Sequence, residues 1–282
     1  MRRAGVVSAA VGHGPGDHVC WVYDGEEAWR DLAAVFLHDG APAHDGLLYV
    51  GGKDEAGLLD DLAGLPGRDR MVRTGQLRVL PLDRPDGRRS AFEGERHLAT
   101  YRSESDRALA AGYRSLRVAV DLSPLAAGPA DGPRLAAFEL LVDALVDRAP
   151  LSALCGYDAA VVHRTATDDA ALVHPLRNDG PHGPAGAVYA DGPGRWRLTG
   201  EIDAAAHLAL ESALASLPAT ADVHFDLADL DFIDLRATRA LVRLAGRLRS
   251  GRRLVLHDPP EILSLILESG WGDVPALQVV PS

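Results

Sequence analysis

Nearly continuous apolar runs, such as Gly46-Leu47-Leu48-Tyr49-Val50 and Leu116-Arg117-Val118-Ala119-Val120, constrain what this chain can fold into more than any other feature. A strand of that kind needs cover on both faces, which a parallel sheet clothed by helices provides. The intervening segments have helical spacing. His18–Tyr23 reads as a strand, with Asp24 capping a helix through Ala28, Leu32, Val35 and Phe36. A helix is expected from Asp54 to Leu65, a strand at Leu77–Leu80, and a long helix from Phe92 to Ala111. Arg134–Asp147 is a further helix, with Leu135, Phe138, Leu141, Val142 and Leu145 inward, before Leu154–Tyr157 returns to the sheet. This alternation predicts βαβ units, hence an α/β domain with a largely parallel sheet.

The pattern breaks at Leu176-Arg177-Asn178-Asp179-Gly180-Pro181-His182-Gly183-Pro184, which reads as a linker. Beyond it come a hairpin (Val188–Ala190, Trp196–Thr199), a helix (Ala204–Leu217), a strand (Val223–Leu227), a helix (Leu235–Ser250), a strand (Arg253–His257) and a helix (Glu261–Ser269). The expected division is residues 1–182, including the linker, and a smaller domain of mixed sheet and helices at 183–282.

A net charge of −11 argues against a general nucleic-acid or anionic-membrane binder. Two cysteines cannot form a disulfide framework, and no apolar run approaches a membrane span, so a cytoplasmic protein is expected. The first residues, Met1 to Gly12, read as a frayed tail. Gly51-Gly52-Lys53-Asp54 lacks the spacing and the hydroxyl of a phosphate-binding loop, and no nucleophile elbow or HExxH helix occurs. No enzyme activity and no cofactor are expected.

Two groups of residues stand out. His18 and Cys20 share one face of a strand, as do Cys155 and Tyr157, so neighbouring strands would bring His18, Cys20 and Cys155 together, while His174 closes the domain. Four readings are open: a buried structural core, a mixed pocket for a small molecule, a thiol pair, or a zinc site of His18, Cys20, Cys155 and His174. The second group is Asp234, which offers an N-cap after a strand, and the stripe Arg236, Arg239, Arg243 and Arg247 on the following helix. That stripe is either a solvated face or a docking surface for an acidic partner. Thr238 is a hydroxyl on this helix that reads as structural rather than as a phosphorylation site.

The segments DHVCWVYD, YVGGKDEAGLLDDL, ALAAGYRSLRVAVDL, LAAFELLVDALV and LCGYDAAVV, with a closing His-Pro, resemble a MEDS domain over roughly residues 12–178. The resemblance implies a sensory module for small hydrocarbon derivatives, with His18, Tyr23, Glu139, Cys155, Tyr157, Asp158 and His174 as its site positions and Cys20 among them. One departure is Asp121-Leu122-Ser123-Pro124, where the family commonly has glutamate and a nearby tryptophan.

LTGEIDAAAHLALESAL, DVHFDLADLDFIDLRATRALVRLAGRLRSGRRLVLHDPP and EILSLILESGW resemble a STAS domain of the anti-sigma factor antagonist type. In that family a phosphorylatable serine follows the junction aspartate; here Leu235 stands there, and Ala237 replaces a glycine. Asp234, Leu235, Arg236, Arg239 and Arg243 are then the candidate partner-binding residues. Together these readings give a non-enzymatic regulatory protein that senses a small molecule and binds an anti-sigma factor or a related regulator, without the usual phosphoserine switch. The alternatives are a thiol- or metal-based sensor using His18, Cys20 and Cys155, or a ligand-free scaffold. The sequence leaves ligand identity and any homo-oligomer open.

Overall fold

The computed structural model describes residues 2–82, 94–126, 131–179, 184–271 and 273–281. The expected boundary at residue 183 and the expected helix start at Phe92 lie outside the described residues.

The first sheet is built from β1 (Gly5–Val7), β2 (His18–Tyr23), β3 (Gly46–Gly51), β4 (Leu77–Pro81), β5 (Leu116–Asp121), β6 (Leu151–Asp158) and β7 (Leu176–Asn178). Its order is β1-β7-β2-β6-β5-β3-β4, and every pairing is parallel. Its helices are α1 (Glu26–Gly40), α2 (Glu55–Asp61), α3 (Arg68–Arg73), α4 (Gly94–Ala110), α5 (Gly132–Arg148) and α6 (Arg164–Leu172). One face of the sheet packs Val19, Tyr49, Ala119 and Leu154 with Phe36, Leu58 and Met71 of α1, α2 and α3. The other packs Cys20, Val118, Val120 and Cys155 with residues of α4, α5 and α6, including Tyr101, Phe138 and Ala170. This is the two-sided burial that the apolar strands require.

Several local expectations are corrected. The turn into α1 uses Gly25, not Asp24, as its cap residue, because the chain passes there through φ 82°, which favours glycine. On α5, Leu140 is buried and Leu141 only half-buried. The N-terminal tail is not frayed: Gly5–Val7 pairs with Leu176–Asn178 as an edge strand. Leu176–Asn178 is therefore not linker but a strand between β1 and β2, with Leu176 buried beneath. Its polar composition belongs to a short strand near the sheet edge, where Asn178 serves the backbone: its side chain accepts from Val22 N and donates to Val22 O.

The second sheet contains β8 (Gly186–Ala190), β9 (Arg195–Ile202), β10 (Val223–Asp226), β11 (Leu230–Ile233), β12 (Leu254–His257) and β13 (Leu277–Val280). Only β8 with β9 is antiparallel; the remaining pairings, β11-β9-β10-β12-β13, are parallel. Its helices are α7 (His207–Ser216), α8 (Leu235–Arg247) and α9 (Glu261–Ile266). Two strands escape the sequence reading. β11 is short and keeps only Leu230 and Ile233 buried, and β13 is half-exposed along its length.

The two sheets read from sequence as independent units, but one apolar cluster joins them. Ala136 and Leu140 of α5, with Leu172 and Val173, pack with Ala209, Leu210, Ala213 and Leu214 of α7. Helix α5 is thus covered by the first sheet on one flank and by α7 on another, which explains why it is buried nearly all round.

Candidate functional site

Strands β2 and β6 are neighbours in register, with Cys20 opposite Cys155 and His18 opposite Ala153. That places His18, Cys20, Cys155 and Tyr157 on the face that α5 covers. Helical spacing puts Glu139 and Asp143 on the same flank of α5, one turn apart. His174 follows α6, and its ring lies 3.9 Å from that of His18, centroid to centroid. The result is a polar knot inside an apolar core: His18, Glu139, Asp143 and His174 are each 0% exposed.

Each contact has a direction. His18 faces Asp143 Oδ1 through Nδ1 at 3.1 Å, and Glu139 Oε2 at 3.2 Å and Cys155 Sγ at 3.4 Å through Nε2. Tyr157 donates its hydroxyl to Glu139 Oε1 at 2.7 Å. The Cys155 thiol lies 3.7 Å from Glu139 Oε2. His174 Nδ1 sits 2.7 Å from the Ala170 carbonyl, to which only a protonated nitrogen can donate. Its Nε2 lies 3.5 Å from Glu139 Oε2 and has no hydrogen-bond partner among the described residues.

Burial dominates the titration of these groups, and the neighbours then decide the sign. For His18, burial disfavours the cation, yet hydrogen bonds to Asp143 and Glu139 outweigh it and raise the pKa. Burial and the nearby His18 charge push His174 down to about 4. Burial and Glu139 push the Cys155 thiol well up. Glu139 and Asp143 are held below the usual carboxylate range despite burial, Glu139 by the two histidines and Tyr157, Asp143 by Arg2 and His18.

Asp143 and Arg2 are residues that the sequence reading missed. Arg2 makes a two-pronged pair with Asp143, Nη1 to Oδ2 and Nη2 to Oδ1, both 2.8 Å, and also donates to the Ala190 and Gly16 carbonyls. Asp143 further accepts from the Ala190 amide at 2.6 Å. One carboxylate therefore ties the N-terminus, β2, α5 and β8 together. The i, i+4 acids Glu139 and Asp143 within a Leu/Val-rich helix were a usable signal for Asp143; nothing in the sequence pointed to Arg2.

The expected set divides in two. His18, Glu139, Cys155, Tyr157 and His174 converge. Cys20 lies level with Cys155 but packs among apolar side chains, and both cysteines are free thiols. Tyr23 and Asp158 stand instead at the C-terminal ends of β2 and β6. Tyr23 donates to Asp121 Oδ1 at 2.9 Å and lies 3.2 Å from Ser123 Oγ, while Ser123 Oγ meets the Asp158 amide at 2.8 Å. The shorter acid of the Asp121-Leu122-Ser123 departure thus serves as the partner of Tyr23. Beside the knot, an apolar cavity bounded by Tyr101, Phe138, Glu139 and Cys155 has about 10 Å³ of free space, roughly one water.

At the other junction, Asp234 caps α8 by accepting from Ala237 N at 2.8 Å. Thr238 is 0% exposed and donates to the Asp234 carbonyl at 2.9 Å. Leu235 is 54% and Phe232 43% exposed, and Ile262 and Leu265 are exposed on α9 beside β11. Of the arginine stripe, Arg243 pairs with Glu211 and Arg247 donates to the Ala215 and Leu214 carbonyls, so both are bound to α7. Arg236 and Arg239 face solvent. Incubation with anti-sigma kinases is expected to leave residues 228–241 unlabelled by mass spectrometry, since Leu235 has no hydroxyl and that of Thr238 is buried. Stoichiometric phosphate on Thr238 would overturn this.

A fully parallel α/β domain with a buried His/Cys/Glu knot, packed on a smaller mixed-sheet domain with an exposed apolar corner, makes this a two-domain α/β protein. Residues 17–175 match MEDS, the methanogen/methylotroph DcmR sensory domain, and the chain belongs to that family. Residues 189–280 match an Mlab-type STAS domain. No curated protein matches the chain. Among solved structures it is similar to the KaiC-like protein PH0186 from the hyperthermophilic archaeon Pyrococcus horikoshii OT3, at 11% identity and TM-score 0.42, covering 66% of this chain and 80% of that one. Among the described residues, no helix is long and apolar enough to cross a membrane.

Proposed function

We propose that this protein is a non-catalytic signal relay. The MEDS domain takes its input at the His18–Glu139–Cys155–His174 knot, and the STAS domain delivers the output to a protein partner such as an anti-sigma factor. The observation that carries the reading is the position of α5. Its Glu139 and Asp143 form the knot, while its adjacent Ala136 and Leu140 pack on α7 of the STAS domain. A change in the knot's hydrogen bonding moves the helix on which the second domain rests. With room for about one water beside the knot, any small-molecule input is very small or enters by displacing side chains.

The output surface in this reading is the corner of Phe232, Asp234, Leu235, Arg236 and Arg239. Apolar side chains left open beside a capped helix start, flanked by exposed arginines, suit an amphipathic acidic partner. Arg239→Glu is expected to weaken binding to an anti-sigma-type partner from the same genome, chiefly through a slower, salt-dependent association rate in surface plasmon resonance. Leu235→Asp acts on the same corner through lost apolar contact. Coupling is tested separately: Glu139→Gln should change the partner's affinity though it lies far from the corner. Unchanged affinity in Glu139→Gln sinks the relay, and unchanged affinity in both corner variants moves the interface elsewhere.

A further inference from the structure

We infer that the buried quartet His18, Glu139, Cys155 and His174 is a tetrahedral binding site for a divalent transition metal of the zinc type. This deepens the relay reading by naming what the input knot binds.

Three observations point to an ion. First, the donor atoms have the spacing of a coordination shell. His18 Nε2 to Glu139 Oε2 is 3.2 Å, His18 Nε2 to Cys155 Sγ 3.4 Å, His174 Nε2 to Glu139 Oε2 3.5 Å, and Glu139 Oε2 to Cys155 Sγ 3.7 Å. All four atoms lie within 4.8 Å of one another. A tetrahedral ion with bonds of about 2.0–2.3 Å needs donor-to-donor edges of roughly 3.3–3.8 Å. Second, the fully buried His174 Nε2 has no hydrogen-bond partner among the described residues and is aimed at these atoms. Its other nitrogen donates to the Ala170 carbonyl, which leaves an inward lone pair facing a carboxylate oxygen; a cation resolves that conflict.

Third, three of the four ligands are oriented from behind. Asp143 holds His18 Nδ1, Ala170 holds His174 Nδ1, and the Tyr157 hydroxyl holds the second oxygen of Glu139. Two imidazoles, one thiolate and one carboxylate form a closed set of four protein ligands, which suits a site that stores or senses an ion rather than one that activates water. The zinc set considered from the sequence, one of four open readings, contained Cys20. The fold replaces Cys20 with Glu139, since α5 and not β2 supplies the third donor. Coordination takes Cys155 as thiolate and His18 as neutral imidazole. The Cys155 thiol proton leaves as the ion binds.

The test uses the full-length chain, stripped with EDTA and titrated with Zn2+, and with Co2+ as a spectroscopic substitute. We expect one equivalent of metal per chain. Bound cobalt should show the strong visible bands of a tetrahedral ion and a thiolate charge-transfer band that is absent in Cys155→Ser. Glu139→Gln and His174→Ala should each lower zinc affinity roughly tenfold or more, with far-UV circular dichroism confirming the fold. The wild-type cobalt spectrum decides the matter even if a variant fails to fold. No stoichiometric uptake by the wild-type protein, cobalt binding without the thiolate band, or full affinity in folded variants would each overturn the assignment. Partner binding is read in a separate assay, so a metal-free protein that still responds to Glu139→Gln refutes this site and leaves the relay intact.

Discussion

Asp143→Ala is expected to lower the folding stability of the full chain by about 3–5 kcal/mol, the usual cost of removing one partner from a buried ion pair. Asp143 is 0% exposed, accepts a hydrogen bond from Arg2 Nη1, pairs with Arg2 Nη2 at 2.8 Å, accepts from the Ala190 amide and faces His18 Nδ1. Alanine would leave a guanidinium and an amide without their acceptor in a region that water does not reach. The loss is therefore set by what stays behind unpaired rather than by the net worth of the pair. Asp143→Asn keeps the shape and one acceptor oxygen, so its cost should be smaller. Equilibrium denaturation at neutral pH reads both, as a lower midpoint with little change in slope. A midpoint unmoved by Asp143→Ala would mean that Arg2 does not reach α5 in solution. Deleting the first seven residues should reproduce much of the alanine effect, since it removes Arg2 and β1 together.

The second large effect concerns the joint between the domains. A protease recognition sequence placed between residues 179 and 184, once cut, should leave two halves that still co-elute on size exclusion. The contact of α5 with α7 is apolar and made of close-fitting small and branched side chains, with Ala136, Leu140, Ala209, Leu210 and Ala213 all 0% exposed. Leu140→Asp should separate the cut halves, because it buries an unpaired carboxylate in that contact. Leu140 belongs to the joint's cluster and not to the cluster facing the first sheet, so the first domain should keep its fold. Leu140→Ala, which only removes volume, should cost about 2–5 kcal/mol and leave the halves together. Halves that part without any substitution would show that the two domains are merely tethered, and the relay through α5 would lose its path.

The sequence by itself determined the class of fold and the two family likenesses. Apolar strands such as Leu47–Val50 have one stable setting, a parallel sheet covered on both faces, and period and caps are local properties readable along the chain. The Asp234 cap and the phosphate-incompetent Leu235 were legible for the same reason, being a matter of adjacent residues. Glu139 came only through family resemblance. Asp143 was marked locally only by its i, i+4 spacing from Glu139, whereas Arg2 and the shared α5–α7 core were beyond local reading, as was the role of Leu176–Asn178, whose polar composition looks like linker until β1 pairs beside it. Tertiary structure alone decided that Glu139, not Cys20, completes the quartet. Strand spacing says which side chains share a face, but which helix lies over that face, and at what rotation, depends on packing between residues more than a hundred positions apart.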